Sequence, residues 1–302
     1  MLPITIFTPT FNRAYILPKL YESLVDQTFR HFEWVIIDDG STDGTRSLVD
    51  GWIREKKLSI SYLQVENGGK YRAINRGTKM ARGELFFIVD SDDRLMPRSL
   101  ERVWDIWQEI RDDRSFCGLA GSLSFPDGSR IGGDFPGHHI DCTALEFRYK
   151  YKVNGDLAEV IRTDVIRQFP FPEIEGEKFC SEALIWNRIA LHYRMRFLAE
   201  PIYITEYLPD GLSANVLRLR YQSPRLAMIT SAEMFNLPIP LKERLMNGFI
   251  YWRATAGGYA RRDRMLSPLS LALWLPGRLM SIYDSFRVRK AEKQRLKRSS
   301  GN

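Results

Sequence analysis

Short apolar runs alternate with helical stripes along the first third of the chain, and each run ends in polar residues. Ile4 to Phe7 reads as a strand, closed by Thr8-Pro9-Thr10 and followed by Phe11-Asn12-Arg13. Leu17, Leu20, Tyr21, Leu24 and Val25 then recur at helical spacing as one apolar stripe. Phe32 to Ile37 is a second strand. It runs into Asp38-Asp39-Gly40-Ser41-Thr42-Asp43-Gly44, a turn in which Ser41, Thr42 or Asp43 can cap the following helix. Leu58 to Val65 is a third strand, broken by Asn67-Gly68-Gly69, and a helix covers about Lys70 to Ala81. Leu85 to Val89 is too short for a helix and reads as a strand buried on both faces. Beyond Met96-Pro97, the residues Leu100, Val103, Trp104, Trp107 and Ile110 mark another core-facing helix. Strand–helix alternation of this kind predicts an α/β fold, a mostly parallel sheet with helices on both faces.

In such a sheet the carboxyl ends of the strands form one edge, and ligands bind there. The polar groups at that edge are Thr8 to Arg13, Asp38 to Asp43, Asn67 to Arg72, and Asp90-Ser91-Asp92-Asp93. The last puts three carboxylates in four residues, which repel one another unless a positive group sits among them. A hard divalent ion with oxygen ligands, Mg²⁺ or Mn²⁺, would serve and could also hold substrate phosphates. The competing reading is a solvated helix cap ahead of Met96-Pro97. There is no GxGxxG after the first strand and no GxxxxGK[ST] anywhere, so dinucleotide redox chemistry and P-loop phosphoryl transfer lack their phosphate cradles.

The remainder is less regular. From Arg111 to about Phe171, Phe125-Pro126-Asp127-Gly128, Gly132-Gly133 and Pro136-Gly137 suggest hairpins and an irregular, lid-like segment. His138 and His139 could ligate a metal, but a His pair in a Gly-rich loop is more often merely exposed. Glu173-Ile174-Glu175-Gly176-Glu177-Lys178 leads through Ser181-Glu182 into a helix with Leu184, Ile185 and Ile189 toward the core. The carboxylates there are helix-start charges, or one of them is a general base. The last hundred residues read as amphipathic helices rich in Arg and aromatics.

Composition narrows the class. The chain has 302 residues, 44% of them hydrophobic, and three cysteines without CxxC spacing, which argues against a disulfide framework. No apolar run reaches the roughly 20 residues of a membrane span, and Met1-Leu2-Pro3 opens without a signal-peptide pattern. A cytoplasmic protein is expected. Net charge is +7, with seven Lys or Arg and the single acid Glu292 between Arg287 and Arg298. Just before that tail, Leu266 to Leu275 is unusually apolar and broken by Pro268, with Pro276 next. Together they suggest peripheral contact with the inner face of an anionic membrane; a core helix with a solvated tail is the alternative. One short basic run beside an acidic centre does not suggest nucleic-acid binding.

Thr8-Pro9-Thr10-Phe11-Asn12-Arg13, Ile37-Asp38-Asp39-Gly40-Ser41-Thr42-Asp43-Gly44-Thr45, Ala73-Ile74-Asn75-Arg76-Gly77 and the DxD at Asp90-Ser91-Asp92 resemble, in order and spacing, the nucleotide-binding loops of the GT-A family 2 glycosyltransferases. The resemblance covers about residues 2 to 110, and 170 to 210 more loosely. It implies a GT-A, Rossmann-like domain over 1–210, with a nucleotide-sugar half (1–110) and an acceptor half (111–210), followed by a helical region over 211–302. The implied reaction is metal-dependent, inverting transfer of a hexosyl or N-acetylhexosaminyl group from a UDP-sugar. Glu173 to Arg188 and Glu206 to Ser213 most resemble members that build bacterial cell-surface polysaccharides, which implies a glycan or lipid-linked glycan acceptor. The implied donor site comprises Thr8, Pro9, Asn12, Arg13, Asp39, Lys70, Arg72, Asn75, Asp90 and Ser91. Asp92, Asp90 and Asp93 would serve the ion. The family's acidic pair, with Arg six residues on, corresponds to Glu182 and Arg188. Ser181 stands where the first acid is usual, which leaves Glu177 as a rival base. A nucleotidyltransferase, or a binding protein that has lost its base, are the other readings.

Overall fold

The structure, a computed structural model, describes residues 2–132, 137–206, 212–255 and 272–280. In chain order the elements are β1 (Leu2–Thr10), α1 (Leu17–Val25), β2 (Phe32–Asp38), α2 (Thr45–Glu55), β3 (Ile60–Gln64), α3 (Lys70–Met80) and β4 (Gly83–Ile88). There follow β5 (Arg94–Leu95), α4 (Ser99–Ile110), β6 (Phe116–Ser124), β7 (Arg130–Ile131), β8 (His139–Cys142), α5 (Ala144–Tyr149), β9 (Leu157–Arg162) and α6 (Thr163–Ile166). The rest is α7 (Ala183–Ala190), β10 (Arg194–Ile204), α8 (Leu212–Gln222), α9 (Pro224–Asn236), α10 (Leu241–Thr255) and a last helix, α11, at 274–280. The chain divides into two compact units, Met1–Phe171 with Ile185–Gly211, and Pro172–Leu184 with Leu212–Asn302.

The first unit is built on a ten-stranded sheet in the order β3-β2-β1-β4-β9-β6-β10-β5, with β7 on β6 and β8 on β10. The pairs β1/β2, β1/β4, β2/β3 and β6/β10 are parallel. β9 pairs antiparallel with both β4 and β6, so β6 and β10 run in the same direction as β1 to β4. The long strands are thus mostly parallel with one reversed between them, as the alternation of elements predicts.

Helices cover both faces. Leu17, Leu20 and Leu24 of α1, Val49 and Trp52 of α2, and Leu100, Val103 and Trp107 of α4 join Ile4, Ile6, Leu85 and Phe87 in one buried cluster. Trp34 lies fully inside it, beside Tyr21 and Trp52, which stack with centroids 4.3 Å apart. Phe7 and Phe86 alternate to the other face and stack on each other, and there Gly77 of α3 abuts the Phe7 ring.

Two differences from the sequence reading bear on the site. First, β1 does not stop at Phe7 but continues through Thr8-Pro9-Thr10. The Phe7 carbonyl faces β4, accepting from Val89, and the Thr10 carbonyl faces β2, accepting from Asp39. By alternation, Pro9's missing N–H falls on the β4 side, beyond the last β1/β4 pair at Phe7↔Ile88, so no ladder bond is lost. Second, the segment beyond Arg111 is not simply irregular. The Phe125–Ser129 turn does close a hairpin between β6 and β7, but β6 and β9 are interior strands of the sheet. β6 reads Phe-Cys-Gly-Leu-Ala-Gly-Ser-Leu-Ser and is buried at every position. Its small residues allow close approach: a Cβ on Gly118 would lie 2.0 Å from the Val160 carbonyl oxygen on β9.

In the second unit, α9 packs on α10, burying Met228, Ala232 and Tyr251. Trp274, Leu275 and Leu279 of α11 are exposed. Of the expected membrane segment, Leu266 to Leu275, residues 266–271 lie outside the described residues, as do 281–302 with the basic tail, and 207–211 of the Glu206–Ser213 stretch. No helix among the described residues is long and apolar enough to cross a membrane.

Replacing Gly118 by alanine should cost about 1–3 kcal/mol, because the methyl meets backbone rather than a side chain that can turn aside. A urea midpoint equal to that of the unaltered protein would show that β6 and β9 do not approach as closely as described.

Candidate active site

The parallel strands β1, β2 and β4 deliver their polar ends to one edge, and hydrogen bonds knit the loops there. Asn12 sits at φ 53°, a left-handed conformation that asparagine tolerates. Its N–H donates to Ser41 Oγ (2.8 Å), and its side-chain oxygen accepts from Thr42 N–H (2.8 Å). The Arg13 and Ala14 amides donate to Thr45 Oγ1 and Asp43 Oδ2. The loop after β1 is therefore fixed by the loop after β2. Asp43 also accepts from Thr45 N–H (3.0 Å), while the cap position of α2 itself falls to Gly44, which has no side chain, rather than to Ser41, Thr42 or Asp43.

Of the two acids ending β2, Asp38 is wholly buried and accepts from Tyr62 OH, Gln64 Nε2 and Ser41 N–H. Asp39 reaches across to the third loop. Its Oδ1 accepts from Gly68 N–H and its Oδ2 from Gly69 N–H, each at 2.8 Å, and Asn67 Nδ2 adds a further bond. Gly69, at φ 96°, then turns the chain into α3, a conformation costly for any residue with a Cβ. Lys70, the first residue of α3, places Nζ 2.7 and 2.8 Å from the two oxygens of Asp90.

Beyond β4, Asp90, Asp92 and Asp93 have separate surroundings. Asp92 lies 4.0 Å from Arg13 Nη2, and Arg13 Nη1 donates to Tyr15 OH. Burial, and then the charge of Asp90, raise the proton affinity of Asp92 above the usual carboxylate range. Asp93 accepts from Tyr203 OH (2.7 Å), and the Tyr203 oxygen accepts from Asp90 N–H (2.9 Å). Burial first, and Asp90 second, push Asp93 up to about 7. Among the described residues, its Oδ1 is buried without a hydrogen-bond partner, as is Thr10 Oγ1. Tyr203, with Thr205 also bonded to Asp93, is the residue that sequence reading missed. It stands one residue from the end of β10, which runs with β1 to β4, so the rule that polar strand ends gather at one edge could have found it.

An orphaned, buried carboxylate oxygen and a crowded Asp92 fit a cation. Among the described residues, however, no three of His, Cys, Asp or Glu form a ready-made cage. An ion held by Asp92, with Asp90 beside it, would need donor oxygens to complete its shell. His138 and His139 join no such group.

Other expected site residues have internal partners. Thr8 is fully buried, its Oγ1 accepting from Trp34 Nε1 (2.9 Å), so it belongs to the core rather than lining a pocket. Asn75 clamps Phe171, accepting from its N–H and donating to its carbonyl. Arg72 lies over the Tyr71 ring, 5.6 Å from its centroid. Pro9 is half-buried and Ser91 buried. In the second unit, Glu177 is buried and accepts from the Arg225 (2.9 Å) and Leu226 (2.8 Å) amides in the first turn of α9. That is a capping role for orphan helix N–H groups, and it removes the main attraction of Glu177 as a base. Glu182 is half-buried at the turn before α7.

The model of glycosyl transferase family 2 matches residues 5–130. Glycosyltransferase GlyG of Streptococcus pneumoniae is 31% identical over 210 residues, 67% of this chain and 69% of that protein. The chain belongs to glycosyl transferase family 2. It is a glycosyltransferase. The putative teichuronic acid biosynthesis glycosyltransferase TuaG of Bacillus subtilis is 28% identical over 172 residues, which span 57% of this chain and 66% of TuaG. Among solved structures, residues 1–349 of Staphylococcus aureus TarS in complex with UDP-GlcNAc align with a TM-score of 0.61 at 21% identity, covering 91% of this chain and 79% of that one. The mannosyltransferase PcManGT of Pyrobaculum calidifontis, in complex with GDP-Man and Mn²⁺, aligns with a TM-score of 0.54 at 20% identity, covering 95% and 83%. At these identities the structures speak for the fold, which is the GT-A architecture expected.

Asp93 yields a sign-definite prediction. Its folded value near 7 lies above the roughly 3.9 of an unfolded Asp. Its contribution is most favourable below the unfolded value and is lost as pH rises through 7. Asp93→Asn keeps an acceptor for Tyr203 and cannot ionise. In EDTA its gain in stability over the unaltered protein should therefore be larger at pH 8 than at pH 5, by on the order of 2 kcal/mol. Equal differences in melting temperature at the two pH values would show that Asp93 does not ionise as described.

Proposed function

We propose that this glycosyltransferase moves a sugar from a UDP-sugar to a hydroxyl of a cell-surface polysaccharide or lipid-linked glycan, by single displacement with inversion and with Mn²⁺ or Mg²⁺ bound. The observation that carries the reading is the gathering of Asp39, Lys70, Asp90, Asp92 and Arg13 in the loops at one sheet edge. A fold neighbour solved with UDP-GlcNAc supports the donor, and a relative named for teichuronic acid biosynthesis supports the acceptor class.

In this reading Asp39 and Arg72 receive the nucleoside, a carboxylate at a strand end being suited to accept from a base or ribose. Arg13 and Lys70 meet the diphosphate, whose charge their cations match. Asp92, with Asp90 and supported by Asp93, would hold the ion. When bound, the ion would supply positive charge where the leaving diphosphate gains negative charge. Glu182 takes the proton of the acceptor hydroxyl as its oxygen attacks the anomeric carbon. The bond from that carbon to the β-phosphate oxygen breaks, and the nucleoside diphosphate leaves. Arg188, six residues on, is the matching family position.

A panel of UDP-sugars with Mn²⁺, scored for UDP release, tests the donor. Release of pyrophosphate instead would mean nucleotidyl transfer. Asp92→Asn should abolish UDP release while leaving the melting temperature within a few degrees. Glu182→Gln should retain UDP binding and lose transfer by about 10²-fold or more. Transfer surviving in Glu182→Gln but lost in Glu177→Gln would exchange the two assignments.

For location, we propose association with the inner face of an anionic membrane. Trp274, Leu275 and Leu279, 47%, 59% and 60% exposed, are an unusually apolar group for a water-facing helix. The seven basic residues from Arg287 to Arg298 would add attraction of about 1 kcal/mol each near such a surface. The full chain should float with anionic vesicles at low salt, and a chain ending at Ala260 should not. Equal flotation of the two, or none of either, removes the proposal.

A further inference from the structure

The ammonium of Lys70 contacts both oxygens of Asp90, at 2.7 and 2.8 Å. A carboxylate spanned in this way is already neutralised, and a divalent ion arriving at Asp90 meets a positive charge in its place. The backbone under that ammonium is held by Asp39, whose two oxygens accept from Gly68 and Gly69 N–H just before α3 begins at Lys70. Asp39, the loop, Lys70 and Asp90 therefore form one connected series, running from the end of β2 to the end of β4. The main chain of Lys70 is fixed, while its four-carbon stem leaves the charge able to swing. Asp92 does not take Lys70's place as a counter-ion to Asp90, being a second negative charge beside it. Without a ligand, Lys70 is thus what makes the crowding of acids tolerable on the Asp90 side, as Arg13 does more distantly for Asp92.

We propose that Lys70 is the resident counter-ion of the donor-free site, and that it moves from Asp90 to the diphosphate when a nucleoside diphosphate binds, leaving Asp90 to the divalent ion. The inference rests on the UDP-sugar reading above and adds a regulation of that site. Lys70, meeting Asp90 in one state and the diphosphate in the other, ties ion binding to nucleotide binding. The free enzyme binds Mn²⁺ poorly, the nucleotide complex binds it well, and by reciprocity Mn²⁺ strengthens nucleotide binding by the same factor. The enzyme thereby avoids holding an ion at an empty donor site.

The test is equilibrium binding of Mn²⁺ to the full-length protein, read from the free-ion EPR signal, with and without saturating UDP. In the unaltered protein UDP should raise Mn²⁺ affinity about tenfold or more, within the range usual for coupled sites. Lys70→Met removes the charge and keeps the stem. It should tighten Mn²⁺ binding to the nucleotide-free protein by about tenfold, weaken UDP binding without metal, and shrink the coupling. Lys70→Arg, which keeps the charge, should restore weak binding of Mn²⁺ alone. If Lys70→Met binds Mn²⁺ no more tightly than the unaltered protein while both remain folded and UDP still binds, the counter-ion role is wrong. If Lys70→Met does not fold, Lys70→Gln takes its place with the same expectations. If the unaltered protein binds no UDP under any condition, the donor reading itself fails, and with it the inference.

Discussion

Negative charge has to be accommodated wherever this fold places its ligand edge. Strands that run one way bring their carboxyl ends together, and in this chain those ends carry Asp38, Asp39, Asp90, Asp92 and Asp93. Left alone, such a set would repel itself and unravel the loops. The structure disposes of each acid differently. Asp38 goes inside, under Tyr62 and Gln64. Asp39 spends its oxygens on backbone amides, Asp90 has Lys70, Asp92 has a distant Arg13, and Asp93 has Tyr203 and remains hard to ionise. The loops are ordered by the same bonds that neutralise the charge, so local structure and electrostatics have one solution between them.

The second unit handles charge in a parallel way at lower density. Glu177 sits under the first turn of α9, where amides without helical partners would otherwise be buried unsatisfied. Ser223, the residue before that helix, accepts through its hydroxyl from the Lys178 and Phe179 amides. The 172–184 segment and α9 thus cap each other, and the chain just ahead of Glu182 is held by this reciprocal arrangement.

The first 110 residues were legible because their elements obey simple periods. Leu17, Leu20 and Leu24 recur as a helix must, and Leu85 to Val89 is too short and apolar to be anything but an interior strand. β6 was not legible, because Phe116, Leu119 and Leu123 do not recur at the period of two that marks a strand, and the Gly, Ala, Ser and Cys between them gain their burial from close backbone approach. The edge itself was readable, since polar residues follow β1, β2 and β4 at the right places. Which polar residue faces inward was not. Thr8 and Asn75 are of the type that binds nucleotides, yet one bonds an indole in the core and the other a backbone segment 96 residues away. Glu177 acts on amides 48 and 49 residues further along the chain, a separation that no local pattern records.

The reversal of β9 has an evolutionary consequence. Because β6 ends at the ligand edge and β9, running the opposite way, begins there, the whole excursion between Ser124 and Leu157 departs from and returns to that edge. Among the described residues it contributes β7 and β8 to the sheet, paired with β6 and β10 and not with β1 to β4. Lengthening, shortening or exchanging it leaves every ladder among β1, β2, β3 and β4 intact. A lineage that varied this one passage would change the surroundings of the edge without disturbing the ladders that hold Asp39, Lys70 and Asp90 in place.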